Sequence, residues 1–221
     1  MADTRLQKTP ILENANLDYA NLKNASLKAA DLEEADLDAA HLSKAKMFGA
    51  NLTRATLNKA HLPDAHMSEA NLSKAWLTDS NLEEANLVYA DLKRANLSNS
   101  IMREVNLQYA KLTNANMGNV RLEFADLFCA NLHKTILLAA NLEKAILEDA
   151  KLTNAYLPRA NLVNAHLPGA DLSAANLGKA SLRGVNLSGV DISGLDFRGI
   201  PREKIEQFIE GYRASEKIVS S

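Results

Sequence analysis

A single cysteine, Cys129, rules out an internal disulfide, and such a chain suits a reducing compartment. Aromatic residues make up only 5% of the 221, so the core must be built from smaller apolar side chains. No stretch approaches the roughly 20 apolar residues that a membrane helix needs. The first ten residues hold Asp3, Arg5 and Lys8 and lack the apolar run of a signal peptide, so the cytoplasm is the expected location and no membrane partner is expected. With a net charge of −2, no overall field steers the protein to nucleic acid or to an anionic surface. Any electrostatic role must be local. At 47% hydrophobic and 24% charged, the chain otherwise has the composition of a soluble protein.

What the sequence does contain is one five-residue phrase repeated. Leu82, Leu87, Leu92 and Leu97 fall five apart; Ala85, Ala90 and Ala95 keep the same step, with Asn86, Asp91 and Asn96 between each Ala and Leu. Numbered by the central residue, the pentads run from Leu12 to Phe197, and all 38 centres are apolar. Five residues advance an α-helix by about 500°, which would scatter the leucines around its circumference. A straight strand would send alternate leucines to opposite faces. Ala and the following Leu are two apart and share a face. Leu and the next Ala are three apart, so the backbone must turn between them. Three extended residues and a two-residue corner, repeated, wind a chain about an axis with Leu and Ala inward: a β-helix. Asn or Asp precedes the centre in 21 pentads, a position from which such side chains bond backbone groups two residues on. Each buried Leu contributes roughly 2 kcal/mol before entropy is counted.

Runs such as Ala70-Asn71-Leu72-Ser73-Lys74 and Ala90-Asp91-Leu92-Lys93-Arg94 resemble the pentapeptide-repeat proteins, whose consensus is Ala-(Asp/Asn)-Leu-x-x. The resemblance spans about residues 11–200. It implies an all-β fold, a right-handed quadrilateral parallel β-helix with four pentads per coil, and hence about nine coils. Val185, Val190, Leu195 and Ile200 replace Ala at four successive corners, each after a glycine, as a closing coil would require. Residues 1–10 are expected to form an N-terminal arm. Pro201 suits a first helical position, and Ile205, Phe208, Ile209 and Tyr212 follow helical spacing, so a short capping helix is expected over 201–213, with 214–221 a tail. That helix would either cap the rod as a monomer or join two rods as a homodimer, a contact that the gyrase-protecting members of the family make.

No phosphate-binding glycine loop, metal-ligand spacing or nucleophile–base pairing occurs, so no catalytic residue, cofactor or metal site is expected. His41 and His61 would stack on neighbouring coils as exposed polar side chains. A convex rod without loops lacks the concave pocket that catalysis needs, and the chain is not expected to be an enzyme.

With 20 residues per coil, the outward positions sort by side. One side carries Arg54, Lys74, Lys93, Arg94, Lys111, Lys134 and Lys151 against Asp91. The opposite side carries Asp64, Glu83, Glu84, Glu104, Glu123 and Glu143 against Arg103, Arg121 and Lys144. Val88, Tyr89, Tyr109, Phe128 and Cys129 gather on one edge, while Trp76, Ile136, Leu138 and Tyr156 point outward from another side. The basic stripe lacks interleaved stacking aromatics, so direct nucleic-acid binding is not expected. These features point to a non-catalytic scaffold that presents a rigid surface to a protein partner, with Tyr89, Tyr109, Phe128, Val88, Trp76, Tyr156, Arg54, Lys74, Arg94 and Lys134 as candidate contacts. The alternative that the resemblance offers is a DNA-mimicking protector of DNA gyrase or topoisomerase. That role favours an acidic surface, Phe at many centres, projecting loops and a dimer, which this sequence largely lacks.

Overall fold

Each pentad has five backbone N–H groups to satisfy, or four where Pro63, Pro158 or Pro168 follows the centre, and where they go defines the architecture. The computed structural model describes residues 9–198, 201–203 and 205–206. In the pentad at Leu92, Asp91 N–H donates to Ala70 of the preceding coil at 2.9 Å. Leu92 and Arg94 donate to Lys111 and Thr113 of the following coil at 2.8 and 3.1 Å. The Ala95 N–H closes the corner on the Leu92 carbonyl at 3.0 Å. The fifth donor, Lys93 N–H, goes to the Asp91 side chain at 3.1 Å. Every Asn or Asp that precedes a centre accepts the same bond from the residue two further on. Asn and Asp recur there because the ladder leaves that one donor over.

The pairing runs unbroken. Parallel bridges link each residue before a centre to the one 20 positions later, from Ile11↔Asp31 to Asn176↔Asp196. Twenty residues divided among pentads give four corners per circuit, the quadrilateral solenoid that the resemblance implies. One residue per pentad bridges on each side, because the chain turns immediately after the Leu. The third residue of each turn has φ between 53° and 62° where it is not glycine, from Asn14 to Lys179. Positive φ at that residue alone is the mark of a type II turn, which ordinarily calls for Gly or Asn. Lys, Arg, Glu, Tyr and Phe hold it here at a cost of about 1 kcal/mol each. A buried Leu in every pentad, worth roughly 2 kcal/mol, outweighs that strain.

Leu and Ala fill the axis: from Leu27 to Leu177 the apolar centres and corner alanines are buried, nearly all at 0–1% exposure. Ala is the size that the corner accepts. Where Val105 or Val120 stands instead, the corner hydrogen bond lengthens to 3.4 or 3.3 Å. Ser80 and Ser100, fully buried in Ala positions, donate their hydroxyls to the carbonyls of Leu77 and Leu97 at 2.6 and 2.7 Å. Thr135 donates to Leu112 of the adjacent coil at 2.8 Å. No buried hydroxyl among them is left unpaired, so the substitutions cost little.

At the ends the core thins. Leu12, Leu17 and Leu22 are only partly buried on the first coil, as are Leu182, Val185, Ile192, Leu195 and Phe197 on the last. Pro10 already contributes its carbonyl to the ladder, accepting from Asp31 at 2.8 Å. Beyond the last bridge, Ile205 N–H donates to Pro201 at 3.2 Å, Arg202 pairs with Glu206 at 2.8 Å, and Ile205 packs on the core cluster. Phe208, Ile209 and Tyr212, the tail 214–221 and residues 1–8 of the arm lie outside the described residues.

This arrangement separates two kinds of stabilisation. Leu112→Ala, which empties a buried centre in mid-rod, should cost about 2–5 kcal/mol in urea unfolding. Asn106→Ala, which strands only the Gln108 N–H, should cost about 1 kcal/mol. Equal losses from the two would contradict this division of labour.

Candidate interaction surface

Because each coil repeats the one below, residues 20 apart stack about 4.8 Å apart along the rod. On the side centred on Leu52, Leu72, Leu92, Leu112, Leu132 and Leu152, one column is Asn51, Asn71, Asp91, Lys111, Asn131 and Lys151, joined by successive bridges. The corner column is Arg54, Lys74, Arg94, Asn114, Lys134 and Asn154, all held at positive φ so that their side chains project from the ridge. Between them lie mostly small hydroxyls: Thr53, Ser73, Thr113 and Thr153, with Lys93 and His133.

Not every cation there is free. Arg54 pairs with Glu34 at 2.8 Å, a residue one coil below the stretch from which the charge asymmetry is reckoned. Lys93 pairs with Asp91 at 3.0 Å. Both pairs are exposed and add little stability, but they occupy the charges. Lys74, Arg94, Lys111, Lys134 and Lys151 are exposed and have no ion pair within the described residues. The uncompensated positive stretch therefore starts at Lys74, and Arg54 drops out of it.

The aromatic edge forms as a stack. Tyr89 and Tyr109 lie face to face, with ring centroids 4.8 Å apart and planes 13° from parallel. Phe128 meets Tyr109 edge-on at 5.5 Å and 86°. Tyr89 is 54% exposed and Tyr109 38%, while Val88, Phe128 and Cys129 are half-buried beside them. Burial pushes the Cys129 thiol up from its ordinary value, and the nearby Asp149 and Glu148 carboxylates add to the shift. Tyr109 is raised for the same first reason, with Cys129, Tyr89 and Asp149 contributing.

On the other flank, Ile136 and Tyr156 are bridged neighbours, 43% and 44% exposed, with Leu138 also exposed. Trp76, 52% exposed, shares their column, but Asn96 and Asn116 separate it from them. The structure thus splits this apolar group in two.

The columns also have an order around the rod. Tyr109 is followed by Ala110 and then Lys111, so the aromatic edge borders the basic side at one corner. Lys134 is followed by the buried Thr135 and then Ile136, so the Trp76/Ile136/Tyr156 column borders it at the next. The candidate contacts lie on three adjacent columns with the cations in the middle. The acidic side lies opposite.

Sequence reasoning missed Phe124, 46% exposed, with the Lys144 ammonium 5.0 Å above its ring. Exposed Phe48 and Tyr19 were missed as well. The Phe124–Lys144 pair is 20 apart, so the coil period was signal enough. His41 and His61 do sit on neighbouring coils, their rings meeting edge-on with centroids 6.1 Å apart. Among the described residues no group of three or more His, Cys, Asp or Glu could hold a metal ion. No helix among them is long and apolar enough to cross a membrane.

An uninterrupted ladder of pentads, each turning a corner after an apolar centre, defines a class. The family model for pentapeptide repeats matches in 8 copies over residues 12–43, 45–83, 80–119, 106–142, 135–173 and 165–200, and the chain belongs to that family. It is similar to HetL, a pentapeptide repeat protein involved in heterocyst differentiation regulation from the cyanobacterium Nostoc sp. strain PCC 7120. That match has 37% identity, covers 83% of this chain and 85% of HetL, and has a TM-score of 0.48. Rfr23, a pentapeptide repeat protein from the cyanobacterium Cyanothece 51142, matches at 28% identity over 55% of this chain and 63% of its own, with a TM-score of 0.33. QnrB1, a plasmid-mediated fluoroquinolone resistance protein, matches at 17% identity over 84% and 94%, with a TM-score of 0.40. No curated protein matches the chain.

The thiolate is the nucleophile, and a raised pKa keeps Cys129 protonated to higher pH. Iodoacetamide should therefore alkylate Cys129 more slowly than free cysteine at neutral pH, with the gap closing as pH rises. Alkylation at the rate of free cysteine would contradict the half-buried, carboxylate-flanked setting.

Proposed function

We propose that this protein is a non-catalytic interaction scaffold, a stiff rod that presents one built surface to a protein partner. The observation that carries the reading is the run of unpaired cations, Lys74 to Lys151, bordered on both sides by exposed aromatic and aliphatic side chains. Aromatic anchors rimmed by charge are the composition in which binding energy concentrates. The rod is convex, with no loop inserted between bridges from Ile11 to Asp196, so it supplies arrangement rather than a water-excluding pocket. The 37%-identical HetL is involved in regulating a differentiation process. A regulatory role exercised through contact is the form we assign here, in the cytoplasm and without direct nucleic-acid binding. The finer architecture belongs to the same reading: a right-handed winding of about nine coils, an arm over 1–10, and a C-terminal helix over 201–213 that closes the rod through Ile205, Phe208, Ile209 and Tyr212. Light scattering at micromolar concentration separates a capped monomer from a dimer joined through that helix.

Gyrase protection is the weaker reading, because the middle coils present a basic side where a DNA mimic would present an acidic one. Inhibition of gyrase supercoiling by the purified protein would reverse that order.

The test is capture of partners from the native host with the full chain as bait. Changing Tyr89, Tyr109 and Phe128 together to Ser should release the captured protein while leaving the rod folded. A partner retained in full by that variant places its contact elsewhere and removes these residues from the site.

A further inference from the structure

The three columns have the dimensions of a particular ligand. A side of the rod is three extended residues wide, about 10 Å at 3.3 Å per residue. An α-helix with its side chains is about 10–12 Å across. From Lys74 to Lys151 is four coils, about 19 Å, the length of about 13 helical residues. Along that length the floor alternates the short side chains of Ser73, Thr113 and Thr153 with Lys93, drawn onto Asp91 at 3.0 Å, and His133. The cations stand on both margins, Lys111 and Lys151 beside the aromatic edge, and Lys74, Arg94 and Lys134 beside the opposite corner.

An extended strand is a poor fit for this floor. Strand addition needs free backbone donors and acceptors, and along the sides the N–H groups are consumed by the ladder, as at Asp91, Leu92 and Arg94. A single-stranded nucleic acid fits poorly too. Its bases need a run of open aromatic faces, whereas Tyr89 and Tyr109 each give one face to the other at 4.8 Å and Phe128 meets Tyr109 edge-on.

We infer that the basic side docks one acidic amphipathic α-helix of a partner protein, lying along the rod. Its carboxylates pair with Lys111, Lys134, Arg94 and Lys74, and its apolar flank packs on Tyr89, Tyr109 and Phe128. Carboxylates at i, i+4 and i+7 rise about 6 and 10.5 Å along a helix, against about 4.8 and 9.6 Å for successive coils. Long Lys and Arg side chains span that mismatch. This inference rests on the scaffold reading above and narrows it to one class of ligand.

The experiment uses the full chain and a labelled helix-stapled peptide of about 16 residues, with Glu at i, i+4, i+7 and i+11 and Leu along one flank. Fluorescence anisotropy should show binding that weakens as salt rises. Lys111→Glu and Lys134→Glu should each weaken it by about tenfold. Glu104→Lys, on the opposite side, should leave it unchanged, and circular dichroism checks that all three variants fold. Absence of binding to the wild-type chain, equal binding of a scrambled peptide, equal binding of a thymidine oligonucleotide, or indifference to both charge reversals overturns the inference. The scaffold reading fails separately, when the bait captures no partner, because a protein docked by another surface is still captured when this peptide is ignored.

Discussion

One backbone donor in every five decides this protein. The coil-to-coil ladder takes three N–H groups of each pentad and the type II corner takes a fourth. The residue after Leu is left with a donor that no main-chain carbonyl reaches. An Asn or Asp side chain two residues back supplies the acceptor, as Asn86 does for Val88 at 3.1 Å. Because an unpaired amide costs on the order of a hydrogen bond, Asn or Asp there completes the backbone accounting in the 21 pentads that carry it. Positive φ at the corners, the size limit at Ala and the 20-residue register follow from the same closed circuit.

That circuit explains why the fold was so legible. Leu at every fifth position excludes helix and flat strand by geometry alone, and the step of two followed by three demands a turn. The single-residue bridges and the left-handed corners were not readable in the same way. At the third turn position Lys, Glu, Tyr and Arg, which have no preference for positive φ, stand about as often as Gly, Asn and Asp, which do. Glycine, the usual marker, stands there at Gly49, Gly169, Gly184, Gly189 and Gly194, among 32 other residues that are forced into the same conformation. Tertiary repetition overrides local propensity at these corners, so propensity could not announce them.

The surface was legible in part. The 20-residue period put Tyr89, Tyr109 and Phe128 on one edge, and the rings stack as that sorting requires. Pairing between coils was harder to see. Arg54 looked like a member of the basic stripe until Glu34, exactly one coil earlier in register, took its charge. Trp76 looked like a companion of Tyr156 until two Asn rungs came between them. The placements by side hold, and both details emerge only when each column is followed rung by rung.

Column order also bears on how such a rod can acquire specificity. Inward positions are fixed by volume, and the position before each centre is biased toward Asn or Asp by the leftover donor. Only the two corner residues vary without touching the core. Departures from Asx at the bridging position forgo a local bond where an N–H stands two residues on, as at Lys111, Ile136 and Lys151; Tyr156 precedes Pro158, which has no N–H, and the Thr78 N–H beside Trp76 is accepted by Asn58 at 3.1 Å. Each such omission costs about 1 kcal/mol, and His66, Ile101, Arg121 and Ile146 incur it on the two other sides of the rod. Because that cost is spread around the whole rod, specificity lies in which side chains take the vacated positions, such as Lys111 and Lys151 on the basic side, and not in where stability is given up.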